Sequence, residues 1–168
     1  MVFTSTALAE EGQLADGSSE ELPFTWYEPG ENPQADAMLP EIMTSMFPRS
    51  ETSNIYYELS YHAIDLNGDG VDEMIYMFNA WQICPKKECP CGIMQYQNGE
   101  VVDIAPPEFY CIGGTYYPEK TKNGYSVIKT KSYFIERSYG QLENEFYWDG
   151  KSYASDIPPE AVERLIDY

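Results

Sequence analysis

The centre of the chain reads Asp65-Leu66-Asn67-Gly68-Asp69-Gly70-Val71-Asp72-Glu73. Before this stretch lies a run rich in aromatic and β-branched residues, 55–64, and after it a short apolar run, 74–78. Both runs have the composition of β-strands, whereas Asp, Asn and Gly favour a reversal of the chain. We therefore predict a strand, a loop and a second strand.

Oxygen-bearing side chains recur at every second position of this loop, which is how a short segment surrounds a hard cation. Calcium takes about six to eight oxygen ligands, and a glycine permits the sharp turn that brings them together. We expect calcium (Ca2+) to be bound by the side chains of Asp65, Asn67, Asp69 and Glu73 and by the backbone carbonyl of Val71. The alternative is a metal-free turn, because Asp and Asn side chains also bond to nearby backbone groups.

The loop matches the EF-hand pattern only as far as its glycine, since Tyr76 stands where the closing Glu belongs and strands replace the flanking helices. It resembles instead the calcium loops of integrin-type β-propeller (FG-GAP) repeats, whose pattern D-x-[DN]-x-D-G-x-x-[DE] is met from Asp65 to Glu73. The pattern occurs once, whereas a propeller needs several blades. The resemblance therefore implies the loop and not the propeller.

Two features indicate an exported protein. Residues 2–9 are similar to the tail of a secretory signal peptide, with the small-x-small pattern Ala7-Leu8-Ala9 followed by acidic residues. The four cysteines are an even number, which suits an oxidising compartment. No apolar run approaches the roughly 20 residues of a membrane helix. We expect a periplasmic or secreted protein without a membrane span.

Cys84, Cys89, Cys91 and Cys111 are expected to form two disulfides. A Cys89–Cys91 bond has poor geometry, because residues two apart in an extended chain lie about 6.6 Å from each other. We favour Cys84–Cys89 with Cys91–Cys111 over Cys84–Cys91 with Cys89–Cys111. A zinc site of four thiolates is the rival interpretation, but the spacing of Cys89 and Cys91 does not fit it.

A broader resemblance covers about residues 55–155. The loop, the Cys-x4-Cys segment from Cys84 to Cys89, the apolar strand 93–96 and the hairpin 147–151 are similar to a group of small exported bacterial proteins with a DLNGDG…E…C…C signature. Many members of that group have no assigned function. The resemblance therefore implies a type of domain and gives no activity.

The predicted organisation is a signal-peptide remnant over residues 1–9, an acidic flexible arm over 10–35 and one calcium- and disulfide-stabilised domain over 36–168. An apolar stripe predicts a helix over 36–47, beginning near Leu39 because Pro40 suits only a first turn. Hairpin signals at Asn98-Gly99, Asn123-Gly124 and Asp149-Gly150 separate successive strand runs. We expect a mainly-β α+β fold, a single antiparallel sheet of hairpins with an N-terminal and a C-terminal helix.

The formal charge of −18 disfavours nucleic-acid binding, which needs a basic footprint. Fifteen tyrosines supply interface-forming side chains, and Tyr116, Tyr117, Tyr133 and Tyr139 are the candidates for a binding face. His62 is the one histidine and falls inside a predicted strand, so no catalytic set is evident.

We expect a non-enzymatic protein-binding module, such as an immunity protein or inhibitor that neutralises a toxin or cell-envelope enzyme. The alternatives are a hydrolase with an acidic cleft and a structural surface or lipoprotein-like domain. The oligomeric state is left open.

Overall fold

The computed structural model describes residues 19–46, 59–79, 89–106, 109–111, 114–132 and 142–156. Of residues 43–46, 89–90, 110–111, 131–132 and 142–143 it describes the backbone only. The elements, in chain order, are β1 (Glu20–Glu21), β2 (Thr25–Trp26), α1 (Pro33–Met46), β3 (Leu59–Ile64), β4 (Glu73–Phe78), β5 (Cys89–Gln97), β6 (Glu100–Asp103), β7 (Tyr110–Cys111), β8 (Gly114–Lys122), β9 (Tyr125–Ser132), β10 (Leu142–Trp148) and β11 (Tyr153–Ser155).

The strands form two antiparallel sheets. Sheet A has the order β1-β8-β9-β10-β11, and sheet B has the order β2-β3-β4-β5-β6, with β7 also pairing with β5. The expected single sheet with a helix at each end is therefore wrong. In the described part of the chain α1 is the one helix, and the predicted C-terminal helix falls on residues 157–168, which lie outside that part.

Sheet B is the middle layer because its strands are apolar on both faces. Met74, Tyr76 and Phe78 of β4 pack with α1, whereas Ile75 points the other way and packs with residues of sheet A such as Ile128 and Phe146. Successive residues of a strand face opposite sides, so a continuous apolar run needs cover on both. Each large side chain that is fully buried in these two clusters stabilises the fold by about 1.5–3 kcal/mol.

Helix α1 begins earlier than predicted. The side-chain oxygen of Asn32 accepts hydrogen bonds from the backbone N–H groups of Gln34 (3.0 Å) and Ala35 (3.1 Å), so Asn32 caps a helix that starts at Pro33. Pro40 consequently lies in the interior of the helix and not in its first turn. The prediction was wrong because it weighed the cost of an interior proline and overlooked the Asn-Pro cap.

The segment predicted as a flexible arm contributes a short strand to each sheet. Glu20 and Glu21 pair with Tyr116 and Thr115 of β8, and Thr25 and Trp26 pair with β3. Leu22 and Tyr27 are buried among the two apolar clusters. These strands have two residues each, which is too short for alternation of apolar and polar residues to reveal them.

The predicted hairpin turns are confirmed. Asn98-Gly99 and Asn123-Gly124 both have positive φ at their two residues, as a two-residue turn of type I′ requires, and they join β5 to β6 and β8 to β9. Asp149 begins the β10–β11 turn, where its side chain accepts hydrogen bonds from the N–H groups of Lys151 and Ser152.

Candidate metal centre

The loop between β3 and β4 has the predicted strands on both sides, so it is not part of a helix–loop–helix unit. Gly68 (φ 76°) and Gly70 (φ 85°) take left-handed backbone conformations that other residues seldom adopt. These two turns wrap the chain around Asp65. The local sequence therefore folds as its glycine spacing predicts.

Asp65 organises the loop by accepting backbone hydrogen bonds. One carboxylate oxygen accepts from the N–H groups of Gly68 (2.7 Å) and Asp69 (3.1 Å), and the other accepts from Gly70 (2.9 Å). These donors, led by Gly70, lower the pKa of Asp65 from its ordinary value. Asp65 is thus ionised and fixed in place.

The next two predicted ligands continue the pattern. The side-chain oxygen of Asn67 accepts from the N–H of Asp69 (2.8 Å), and Asp69 Oδ1 accepts from the N–H of Val71 (2.8 Å). The amide of Asn67 also donates to Asp69 Oδ2 at 3.0 Å. Asp65, Asn67 and Asp69 therefore all stabilise the turn, as in the metal-free alternative.

Glu73 lies in a different environment, at the base of the loop between the two sheets. It is 1 % exposed, and Oε2 accepts from the N–H of Leu66 (2.7 Å) while Oε1 accepts from the amides of Gln95 (2.9 Å) and Asn67 (3.3 Å). Burial raises its pKa to about 7 against these hydrogen bonds, and the charges of Asp69 and Asp65 raise it further. Among the described residues no cationic side chain contacts it.

The loop is attached to both sheets. Its Leu66 carbonyl accepts a hydrogen bond from the N–H of Ser126 in β9 (2.8 Å), and Gln95 of β5 donates to the hydroxyl of Tyr125 at 2.7 Å. The Tyr125 ring stacks on Trp148 with 4.1 Å between centroids. The loop and its support Gln95 are therefore hydrogen-bonded to sheet A as well as to sheet B.

Sequence reasoning missed Gln95 and Tyr125, which support Glu73. Gln95 follows Ile93 and Met94 in an otherwise apolar strand and is buried, and a polar residue at such a position was the available signal. Tyr125 comes from the other sheet, and no local pattern places it beside the loop.

The donor chemistry fits calcium, because carboxylate, amide and carbonyl oxygens are its preferred ligands. The buried carboxylate of Glu73 supplies the structural argument, since the carboxylates of Asp69 and Asp65 raise its pKa and no cationic side chain of the described residues contacts it. Within the described ranges, however, no three Asp, Glu, His or Cys side chains converge closely enough to hold a metal ion. Two of the five predicted ligands, the Asn67 side chain and the Val71 carbonyl, are not of these residue types.

The predicted cysteines are described only in part. Cys91 is disulfide-bonded, and its Sγ lies 3.3 Å from the carbonyl oxygen of Phe109. The backbone of Cys89 is in register with that of Cys111 across β5 and β7, and Cys84 lies outside the described residues. The pairing of the four cysteines stays a prediction.

The predicted tyrosine face is not a single surface where it is described. Tyr116 packs toward sheet B, donates a hydrogen bond to Glu20 (2.8 Å) and approaches the ring of His62. Tyr117 follows it in β8 and points to the opposite face, beside Lys120. Tyr133 and Tyr139 lie outside the described residues.

His62 has a structural contact: its Nδ1 donates to the carbonyl of Pro23 at 3.2 Å.

In the part of the chain that the structure describes, no helix is long and apolar enough to cross a membrane. Comparison of the chain with protein-family models, with curated proteins and with solved structures finds no match in any of the three.

Proposed function

We propose that this chain is an exported protein-binding module that calcium stabilises, and that it neutralises a toxin or a cell-envelope enzyme by covering it. Calcium is bound by the loop from Asp65 to Glu73, and the disulfides reinforce the scaffold. The proposal includes membership of the group of small exported bacterial proteins with the DLNGDG signature.

The observation that supports calcium best is the buried carboxylate of Glu73. A buried ionised carboxylate without a cation is costly, and two further carboxylates of the loop raise that cost. A divalent cation beside Glu73 would attract all of these carboxylates and so offset both the repulsion among them and the cost of burying Glu73. It would also strengthen a loop that already bonds to both sheets through Leu66 and Gln95.

A stabilising role fits this position better than a sensing role. The loop is flanked by β3 and β4, which are strands of one sheet and not helices that could change their relative orientation. The side chains that support it come from packed strands. Calcium modules outside the cell bind with a Kd of about 10⁻⁴–10⁻³ M and are occupied there without regulation. Export is consistent with Cys91, which is disulfide-bonded.

Binding of a protein partner is supported by the acidic charge of the chain. The formal charge of −18 attracts basic partners and accelerates their encounter. His62 is hydrogen-bonded to the Pro23 carbonyl, and Cys91 is disulfide-bonded. Both side chains, which could otherwise act as a base or a nucleophile, therefore have structural contacts. A scaffold that presents a surface is therefore favoured over one that presents a nucleophile.

The test is a binding experiment with the products of neighbouring genes. Each product is mixed with the purified chain in calcium-containing buffer and the heat of association is measured by titration calorimetry. We expect a 1:1 complex that inhibits the partner's activity. Absence of any complex in the presence of calcium would count against the proposal. The Asp65→Asn/Asp69→Asn variant is the matched control for the contribution of the metal.

A further inference from the structure

The register of two strands limits which cysteines can form disulfides. Strands β5 and β7 are antiparallel, and the Cα atom of Cys89 lies opposite that of Cys111, while Pro90 lies opposite Tyr110. Directly opposed Cα atoms of antiparallel strands are about 4.5–5.5 Å apart, and disulfides join Cα atoms that are about 4.4–6.8 Å apart. The backbone therefore places Cys89 and Cys111 at a separation that suits a disulfide.

The same register excludes a bond between Cys91 and Cys111. One residue pair beyond Pro90 and Tyr110, Cys91 is level with Phe109, and its Sγ lies 3.3 Å from the Phe109 carbonyl oxygen. Cys111 is then a diagonal neighbour of Cys91, and diagonal neighbours lie about 7–8 Å apart. Cysteines whose Cα atoms are more than about 7 Å apart cannot be bridged unless the backbone moves.

Cys91 is nevertheless disulfide-bonded, so its partner must be another cysteine. Cys89 is two residues away in the same strand, where a separation of about 6.6 Å and parallel side chains do not suit a disulfide. Cys84 is the one cysteine that remains. The chain can reach, because residues 79–88 connect neighbouring strands that lie only about 4.8 Å apart, and this length suffices to bring residue 84 back beside Cys91.

We propose that the two disulfides of this chain are Cys89–Cys111 and Cys84–Cys91. Each forms by exchange with a disulfide oxidant such as oxidised glutathione: an S–S bond forms between two cysteine sulfurs, the S–S bond of the oxidant breaks, and two protons and two electrons pass to the sulfurs of the oxidant, which become thiols. The inference does not depend on the proposed function, because these bonds lie within the chain and form with or without calcium or a partner. It replaces the pairing favoured from the sequence, Cys84–Cys89 with Cys91–Cys111.

These bonds lie at the opposite end of β5 from the candidate metal centre. Gln95, which supports Glu73, is six residues beyond Cys89, and a strand advances about 3.3 Å per residue, so roughly 20 Å separates the two places. The Cys89–Cys111 bond joins sheet B to the segment that continues into β8 of sheet A, which begins at Gly114. The loop and this bond therefore connect sheet B to sheet A at opposite ends of β5.

Disulfide mapping of the native, non-reduced protein tests the pairing. Free thiols are first blocked with N-ethylmaleimide, and the unfolded chain is then cut with trypsin, a glutamyl endopeptidase and a prolyl endopeptidase. Cleavage after Lys87, Pro90 and Glu100 places each cysteine on its own fragment. Mass spectrometry should then find two pairs of joined fragments, Cys84 with Cys91 and Cys89 with Cys111.

Every other result of the mapping overturns the proposal. Joined fragments of Cys84 with Cys89 and of Cys91 with Cys111 would establish the rival pairing. Maleimide on Cys84, Cys89 or Cys111 would show a thiol where the proposal requires a bond, and maleimide on all four cysteines would favour a thiolate metal site.

Two double variants check the pairing independently, and each removes two cysteines. Cys89→Ser/Cys111→Ser removes one proposed bond and should leave no free thiol when the unfolded protein is titrated with a thiol reagent. Cys84→Ser/Cys89→Ser leaves Cys91 and Cys111, which the register keeps apart, so both should titrate as free thiols. Free thiols in the first variant, or none in the second, would overturn the proposal. If a variant does not fold, the mapping of the native chain still decides.

Discussion

Glu73 is the residue that connects the loop to the interior. Its carboxylate is buried between the sheets, and it accepts hydrogen bonds from Leu66, Asn67 and Gln95. The raised pKa shows that these donors do not offset the loss of hydration and the repulsion by the loop carboxylates. Without a cation, ionisation of Glu73 therefore lowers the stability of the fold, and this effect grows as pH rises through about 7.

The stability of the metal-free protein should depend on pH through Glu73. The pKa of Glu73 rises from 4.5 in the unfolded chain to about 7 in the fold, so the folded state binds more protons between these values. Its contribution to stability is full below pH 4.5 and is lost as pH rises through 7, by about 3 kcal/mol. Denaturant unfolding in chelator at pH 4.5 and pH 8 measures it.

The control for this prediction is Glu73→Gln, which keeps the shape and cannot ionise. Relative to this variant the native chain should lose stability as pH rises, which removes the contribution of the other acidic residues from the comparison. A difference between the two proteins that does not change with pH would contradict the assignment of the shift to Glu73.

Gly92 is required by the side chain that packs over it. A Cβ atom at this position would lie 2.4 Å from the Tyr76 hydroxyl oxygen and 2.6 Å from its ring. We predict that Gly92→Ala destabilises the protein by about 1–3 kcal/mol, the usual cost of overpacking a core. In a Tyr76→Leu background, the smaller side chain leaves room and the added cost should fall. Equal costs in both backgrounds, measured by denaturant unfolding, would show that Tyr76 is not the cause.

For single residues, the sequence predicts the contacts that form within one loop and misses the contacts made by residues of distant strands. The spacing of Asp65, Asn67 and Asp69 anticipates a wrapped turn, because each side chain acts within a few residues of itself. Gln95 reaches Glu73 from β5, and Tyr125 of sheet A accepts hydrogen bonds from Gln95 and Asn67. Tyr76 covers Gly92 across a strand pair, which spacing along the chain cannot show.

Among the elements, helix α1 combines a strong start with a costly interior residue. Asn32 caps the first turn, and Asp36 accepts hydrogen bonds from Tyr27 (2.7 Å) and from the N–H of Gly30 (3.1 Å). Pro40 has no N–H to donate to the carbonyl of Asp36. Burial of the helix face against sheet B, including Met38, compensates for that loss.

The helix can therefore be stabilised by one substitution. We predict that Pro40→Ala raises the free energy of unfolding by about 2 kcal/mol, because it restores a backbone hydrogen bond and loses a smaller entropic advantage of proline in the unfolded chain. Glu41→Ala, at an exposed position of the same helix, should change stability little. A Pro40→Ala protein that is less stable than the native chain in urea would contradict this view of the helix.

The elements also show why hairpins were predictable and the sheet assignment was not. Asn-Gly turns specify which neighbouring strands pair, and the two predicted Asn-Gly hairpins formed. The strand β8 does not continue the sheet of β6 but pairs with β9 and with β1, which lies far from it in the sequence. The continuous apolar run 74–78 did contain the evidence for a buried middle sheet.

In the whole molecule, the loop joins sheet A to sheet B. Its flanking strands belong to sheet B, while Leu66 bonds to Ser126 and Gln95 bonds to Tyr125 of sheet A. A cation in the loop would neutralise repulsion at this joint and stabilise the packing of the two sheets together. Calcium should consequently raise the stability of the cooperative unit and not only of the loop.

Thermal unfolding at increasing calcium concentration shows whether the loop from Asp65 to Glu73 binds calcium in the folded protein. With a Kd of about 10⁻⁴–10⁻³ M, 10 mM calcium stabilises the fold by about 1.4–2.7 kcal/mol, which raises the Tm by about 3–10 °C for a chain of this size. We expect that rise for the native chain, its reversal by chelator and its absence in Asp65→Asn/Asp69→Asn. A native Tm that calcium and chelator leave unchanged, or an equal rise in the variant, would contradict it.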